Sequence, residues 1–280
     1  MALMTDEQFE QFFEPYAGNV EGFYEVEYWS LSDEMIRELM RRHLGLEPGM
    51  RVLDVGGGTG RWGVWLAREF GVHVTVADKS ARMLKQAARN VDGAGLGDQV
   101  TLVHVDIEDA PNLRDDEFDA VVSTYGVHSF LDDPEAAFRT VARVLRPGGV
   151  GLLMSHSLSN ALVSKINRDG AGVDELTELA RDRIVRWAPH VPPLRVYSAA
   201  DLRDLAEGAG LQCPQVFGVT SLVLPGPEDF GYPYTAKSAV STALEDPAYF
   251  QRVLDLELAA AEKEQWGERG VNLMVKVISA

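Results

Sequence analysis

The chain has 280 residues, a formal net charge of −17 and one cysteine, Cys213. Such an acidic surface repels phosphate backbones and disfavours a nucleic-acid substrate. A lone cysteine excludes a disulfide framework or thiolate zinc cluster within the chain and fits a reducing, cytoplasmic setting with no metal centre. No apolar run reaches membrane-spanning length, and the acidic start MALMTDEQFEQFF lacks the apolar core of a secretory leader.

A polar and aromatic head, Thr5 to Trp29, opens the chain. A helix is predicted from Leu31 to His43. Ser30 and Asp33 have capping-box spacing, and Leu31, Met35 and Leu39 recur at every fourth position. Short β-branched runs then alternate with helical periods. Strands are expected at Met50–Val55, Val72–Ala77, Val100–Val105, Phe118–Ser123 and Val150–Met154. Helices are expected at Gly60–Phe70, Ser80–Val91 and Pro134–Leu145, the last opened by a proline in its first turn. This rhythm specifies a doubly wound α/β fold with a mostly parallel sheet.

After Ser157 the rhythm loosens. Residues Ser157 to His190 read as polar and helical without a strand. Ser198 and Asp201 cap a helix to Ala209, Gln212–Leu224 holds a strand, and Pro225–Tyr234 is a Pro/Gly-rich loop. Helices fill Ala236–Trp266, and Val271–Ile278 closes the chain as a strand. The expectation is one domain, 1–280, with a seven-stranded sheet and an antiparallel C-terminal strand. Residues 31–155 form its cofactor-binding core. A helical N-terminal lid (1–30) and helical insertions (157–190 and 225–270) cover the substrate.

The segment VLDVGGGTGRWG, Val52 to Gly63, concentrates the chemistry. Gly58, Gly60 and Gly63 satisfy the dinucleotide fingerprint, which would seat a diphosphate on a helix N-terminus. An NAD-linked oxidoreductase is therefore one reading. Asp54, at the strand end before the glycines, opposes it, because a carboxylate there faces an anionic diphosphate. An acid suits a cation instead.

Asp54-Val-Gly56-Gly57-Gly58-Thr59-Gly60 fits D-x-G-x-G-x-G, and here the chain resembles the class I S-adenosylmethionine-dependent methyltransferases of small-molecule type. The resemblance implies that Asp54 helps orient the amino-acid end of S-adenosylmethionine, with Gly56, Gly57, Gly58 and Gly60 allowing close backbone approach. Asp78, twenty-four residues beyond Asp54, would accept both ribose hydroxyls. The segment from Lys79 to Leu84, including Met83, would pack on the adenine. Asp106 would accept from the adenine amino group, with Ile107 beside the ring. Ser123 and Thr124 end the fourth strand at the cofactor. The similarity covers Leu31 to Ser155 well, and the head and insertions hardly at all.

Methyl transfer is an in-line displacement in which the protein aligns the reactants and excludes water. A base is needed only where the acceptor must lose a proton. His128 and His156 follow the fourth and fifth strands, where open α/β sheets place ligands, and either could take a proton. In the head, Tyr24 and Tyr28 are candidates for the methionine end of the cofactor, and Tyr28 also for the acceptor. Trp187–His190 and Gly231–Tyr234 are candidate pocket linings. The expected acceptor is a small molecule such as a quinone, a sterol or another natural product, methylated at O, N or C, with S-adenosylhomocysteine as the second product. No nucleic-acid or membrane partner is expected. A non-catalytic nucleoside-binding regulator is a third reading.

Overall fold

Side chains that alternate along each strand divide the sheet into two buried faces, and this alternation dictates the layers. The computed structural model describes residues 3–13, 26–187, 191–230 and 236–280. Tyr24, Ala188–His190 and Gly231–Tyr234 therefore lie outside the described residues. Strands β1 (Arg51–Val55), β2 (His73–Asp78), β3 (Val100–His104), β4 (Phe118–Ser123) and β5 (Leu145–His156) pair in parallel. With β8 (Gln212–Val219) and β9 (Asn272–Ile278) they form a seven-stranded sheet in the order β3-β2-β1-β4-β5-β9-β8, in which β9 runs antiparallel to both neighbours. The short strands β6 (Ile184–Val185) and β7 (Leu194–Arg195) pair separately.

On one face Val52, Val74, Val76, Val122, Met154 and Met274 pack against three helices: α2 (Glu27–His43), α3 (Arg61–Phe70) and α4 (Ala81–Ala94). On the other, Leu53, Val55, Val121, Leu153 and Leu273 pack against α5 (Pro134–Val144) and α8 (Ala199–Gly208). Two-sided burial of near-continuous apolar strands is what a parallel sheet requires. The helix boundaries follow local chemistry. Asp133 caps α5 through Ala136 N–H at 2.8 Å, with Pro134 in the first turn. Ser198 and Asp201 form a reciprocal capping box at α8. Further helices are α1 (Asp6–Phe13), α6 (Leu158–Ser164), α7 (Val173–Asp182), α9 (Ala239–Leu244), α10 (Pro247–Ala261) and α11 (Glu264–Gly267).

Three expectations are corrected. Helix α2 begins at Glu27, a turn earlier than the Ser30–Asp33 pattern suggested. Ser30 N–H donates to Val26 O at 3.0 Å and so lies inside the helix, where no capping box forms. The 157–190 segment does contain a strand. Val185 and Leu194 pair across β6 and β7 because both bury against Ala161, Leu179 and Val196, a small core of their own. Strand β5 starts at Leu145, because Arg146–Gly149 is absorbed where the β4–β5 register shifts between Phe118 and Ala120. Among the described residues, no helix is long and apolar enough to cross a membrane.

Candidate active site

The carboxyl ends of β1, β2 and β4 converge around the glycine loop. The loop returns from β1 to α3, and Gly56 N–H and Gly57 N–H donate to Ala77 O at 2.7 and 3.2 Å, which ties it to the end of β2. Beneath it lies Asp54, 0% exposed, with no partner of good hydrogen-bond geometry for either carboxylate oxygen. A Cβ built on Gly57 would lie 2.6 Å from Asp54 Oδ2 and 2.7 Å from Val76, so only glycine fits over this acid. Burial, then repulsion from Asp78, pushes the Asp54 carboxyl up to about 8, and the nearby Gly63 N–H opposes this only in part.

Asp78 ends β2. Its Oδ2 accepts from Gly58 N–H at 2.9 Å and its Oδ1 from Ser80 N–H at 2.7 Å. Lys79 turns its carbonyl to His104 Nε2 at 2.9 Å. Ser80 Oγ then caps α4 by accepting from Met83 N–H at 3.3 Å, and the Met83 side chain is buried. Asp106 lies two residues past β3, with Oδ1 accepting from Glu108 N–H at 3.0 Å, and Ile107 buries beside it. Ser123 and Thr124 are buried at the tip of β4, the Ser123 hydroxyl without a partner.

The proton-transfer candidates differ in setting. His128 sits on the 3₁₀ turn Val127–Phe130, fully buried, its ring 5.2 Å from that of Phe138. Neither ring nitrogen has a partner of good geometry, and burial pulls its pKa down to about 4, although the neighbouring Met154 backbone opposes this. His156 ends β5 and is only partly covered. Burial of its ring pulls it down to about 4, and the neighbouring Asn272 side chain opposes this in part. Tyr28 is buried, its hydroxyl 2.7 Å from Thr220 Oγ1, and burial raises its pKa. That hydroxyl is engaged at the end of β8.

Sequence patterns gave Arg61, Tyr125 and Asn272 no role, and Asp33 only that of a helix cap. Tyr125 follows β4 with φ +52°, a strained conformation for a residue with a side chain. Its hydroxyl donates to Asp33, while Arg61 Nη2 contacts both oxygens of Asp33 at 2.6 Å. The three residues join α2, the start of α3 and the tip of β4. A signal was present: Asp33 lies among Leu31, Met35 and Ile36 on the buried face of a helix, and a buried acid requires a partner.

A family of methyltransferase domains matches residues 52–149. A demethylmenaquinone methyltransferase of Mycolicibacterium paratuberculosis (strain ATCC BAA-968 / K-10) is 33% identical over 180 residues, covering 64% of this chain and 71% of that protein.

The chain belongs to the class I S-adenosylmethionine-dependent methyltransferases.

A tRNA 5-carboxymethoxyuridine methyltransferase of Escherichia coli (strain K12) is 28% identical over 165 residues, covering 57% of this chain and 60% of that protein. For two other curated relatives the match spans 41% and 46% of their length. Among solved structures, the geranyl diphosphate C-methyltransferase of Streptomyces coelicolor A3(2), in complex with Mg2+, geranyl diphosphate and S-adenosyl-L-homocysteine, aligns with a TM-score of 0.56. That alignment has 14% identity and covers 88% of this chain and 78% of that one, a likeness of fold.

The cofactor of this family is S-adenosylmethionine, and the residues present fit it. Asp54 offers a buried, unpartnered carboxylate beneath a glycine cradle that a Cβ at Gly57 would fill. Asp78 is bonded to the loop, and Asp54 beneath it is an acid that a nearby cation would help to ionise, an arrangement that favours a cationic ligand over a diphosphate.

Proposed function

We propose that this protein transfers a methyl group from S-adenosylmethionine to an O, N or C atom of a small-molecule acceptor by in-line displacement, in the cytoplasm. The observation that carries the reading is the pair of acids around the glycine loop, one buried and unpartnered and the other bonded to the loop. When bound, the cofactor supplies a methyl group made electrophilic by its sulfonium.

The chain's own residues bind and align. Asp78 accepts from the ribose hydroxyls, and the field of Asp54 favours the cationic amino-acid end. Asp106 takes the adenine amino group, with Ile107 and Met83 beside the ring and Lys79 flanking it. Ser123 and Thr124 line the path towards the acceptor. Gly56, Gly57, Gly58 and Gly60 admit the ligand against the backbone. In this reading the chain is a single domain, and the described parts of 157–190 and 225–270 serve to shield the reaction from water. The net charge of −17 supports a small acceptor over the nucleic acid named for one relative.

Methyl transfer from isotopically labelled S-adenosylmethionine tests this directly, with a panel of quinols, phenols, sterols and amines set beside bulk tRNA. Label in at least one small molecule and none in tRNA is expected. Label in tRNA alone would overturn the small-molecule assignment, and turnover on nothing would favour a nucleoside-binding regulator.

A further inference from the structure

In a chain of net charge −17, one groove carries the opposite sign. It lies where α2, α3, α4 and α10 come together and encloses about 780 Å³, a volume typical of small-molecule sites. Its wall holds Arg37 of α2, Arg61 and Arg68 of α3, and Arg89 of α4, against the acids Asp33 and Glu34. Four guanidiniums against two carboxylates leave an excess of two positive charges. Both acids are already engaged. Arg61 Nη2 lies 2.6 Å from each oxygen of Asp33, and Arg37 Nη1 lies 3.0 Å from Glu34 Oε2. The excess therefore falls on the other two arginines. Among the described residues neither Arg68 nor Arg89 pairs with a carboxylate, and Arg68 Nη2 reaches only the Ala94 carbonyl, at 3.4 Å. On the same wall Gly93 carries no side chain, and a Cβ there would meet nothing within 4 Å. The groove is open beside its unpaired cations.

We infer that this groove binds a small molecule bearing a terminal phosphate. Planar guanidiniums present paired N–H donors that match phosphate oxygens. A phosphate monoester carries a charge of about −1.5 to −2 near pH 7, which balances the unpaired excess. A carboxylate or a sulfate ester, with a single charge, balances half of it. The bridging diphosphate of a dinucleotide has one charge on each phosphorus and no terminal group. Phe250 of α10 and Val64 of α3 add an apolar wall, which suits an organic phosphate over the free ion.

The groove is separate from the cofactor cradle, since Asp54, Asp78 and the loop glycines are not among its lining residues. The two are neighbours all the same. Arg61 follows Gly60 directly, and Asn90, on the groove wall, donates from Nδ2 to Thr59 O at 3.0 Å. The inference does not rest on the methyl-transfer reading, because the charges and the space stand whatever the glycine loop holds.

The test is isothermal titration calorimetry of the intact chain at pH 7 with phenyl phosphate as the probe, alone and after saturation with S-adenosylhomocysteine. One-to-one binding is expected in both cases, and weaker binding of phenyl sulfate and benzoate. Arg68→Gln and Arg89→Gln should each weaken phenyl phosphate by about tenfold or more, the worth of a charged hydrogen bond. Arg139→Gln, which removes an exposed arginine from α5, should leave its affinity unchanged. Gly93→Glu sets a carboxylate in the groove at a helix position with room for a side chain, and should abolish binding, whereas Gly93→Gln should retain it. Absence of saturable binding in the millimolar range would overturn the inference. So would equal affinity for phenyl sulfate, or an affinity unmoved in both Arg68→Gln and Arg89→Gln. Displacement of the probe by S-adenosylhomocysteine would place it in the cradle and overturn the inference as well. Failure of S-adenosylhomocysteine itself to bind would count against the methyl-transfer reading alone.

Discussion

Asp78 Oδ2 accepts a hydrogen bond from Gly58 N–H at 2.9 Å, so the tip of β2 and the glycine loop after β1 are joined before any ligand arrives. The same carboxylate holds Ser80 N–H and thereby the start of α4. Asp78→Ala removes the proposed ribose acceptor and the anchor of the loop together. S-adenosylhomocysteine affinity is expected to fall by about 1–3 kcal/mol, the worth of a charged hydrogen-bond pair, as read by calorimetry. Unchanged affinity would mean that Asp78 faces no ligand.

Asp54 gives the ligand-free protein a distinctive response to pH. Its folded pKa, about 8, lies above the ordinary carboxylate range. The folded state therefore holds this proton more tightly than the unfolded one, and stability falls as pH rises from about 4 to about 8. His128 and His156 act in the opposite sense. Their depressed pKa values mean that stability is lost as pH falls from about 6.5 through about 4. The interval from pH 6.5 to 8 isolates Asp54. Thermal unfolding of Asp54→Asn should show a higher midpoint than wild type at pH 8 and a smaller gap at pH 6.5. In the wild type, S-adenosylhomocysteine should bind more tightly as pH rises through this interval, because its ammonium favours the ionised acid. Asp54→Asn should flatten that dependence.

Asp33 is buried in its contact with Arg61 and the Tyr125 hydroxyl. Removing one member leaves the others short of a partner in a partly covered site. Asp33→Ala should lower unfolding stability by about 1–3 kcal/mol in denaturant titration. Adding Arg61→Ala should cost less than the sum of the single changes, because the two act as one unit.

Much of the fold was legible because strand alternation and capping are local. Phe118–Ser123 and the Ser198–Asp201 box stand where their patterns put them. The order of Asp54, the glycines, Asp78 and Asp106 was equally plain, since the acids lie at or just beyond strand ends and the glycines follow β1 directly. Long-range pairing was hidden. Ser30 and Asp33 have capping-box spacing, yet Asp33 bonds to Arg61, 28 residues away. Likewise Asn272 meets His156 only because β9 runs antiparallel beside β5, and no spacing within either strand announces it.

Gly126 has φ +78°, and a Cβ there would crowd the His156 ring. Gly126→Ala is expected to destabilise the protein by about 1–2 kcal/mol from the left-handed backbone alone, and to move the His156 ring signals in NMR. A stable variant with unmoved signals would show that the turn does not support the ring.

The central claim is that the carboxyl edge of β1 and β2 holds a nucleoside linked to a cationic amino acid. Isothermal titration calorimetry with S-adenosylhomocysteine and NADH in parallel tests it most directly. Saturable one-to-one binding of S-adenosylhomocysteine, with no heat from NADH, is the predicted result. Tight binding of NADH with none of S-adenosylhomocysteine would contradict it.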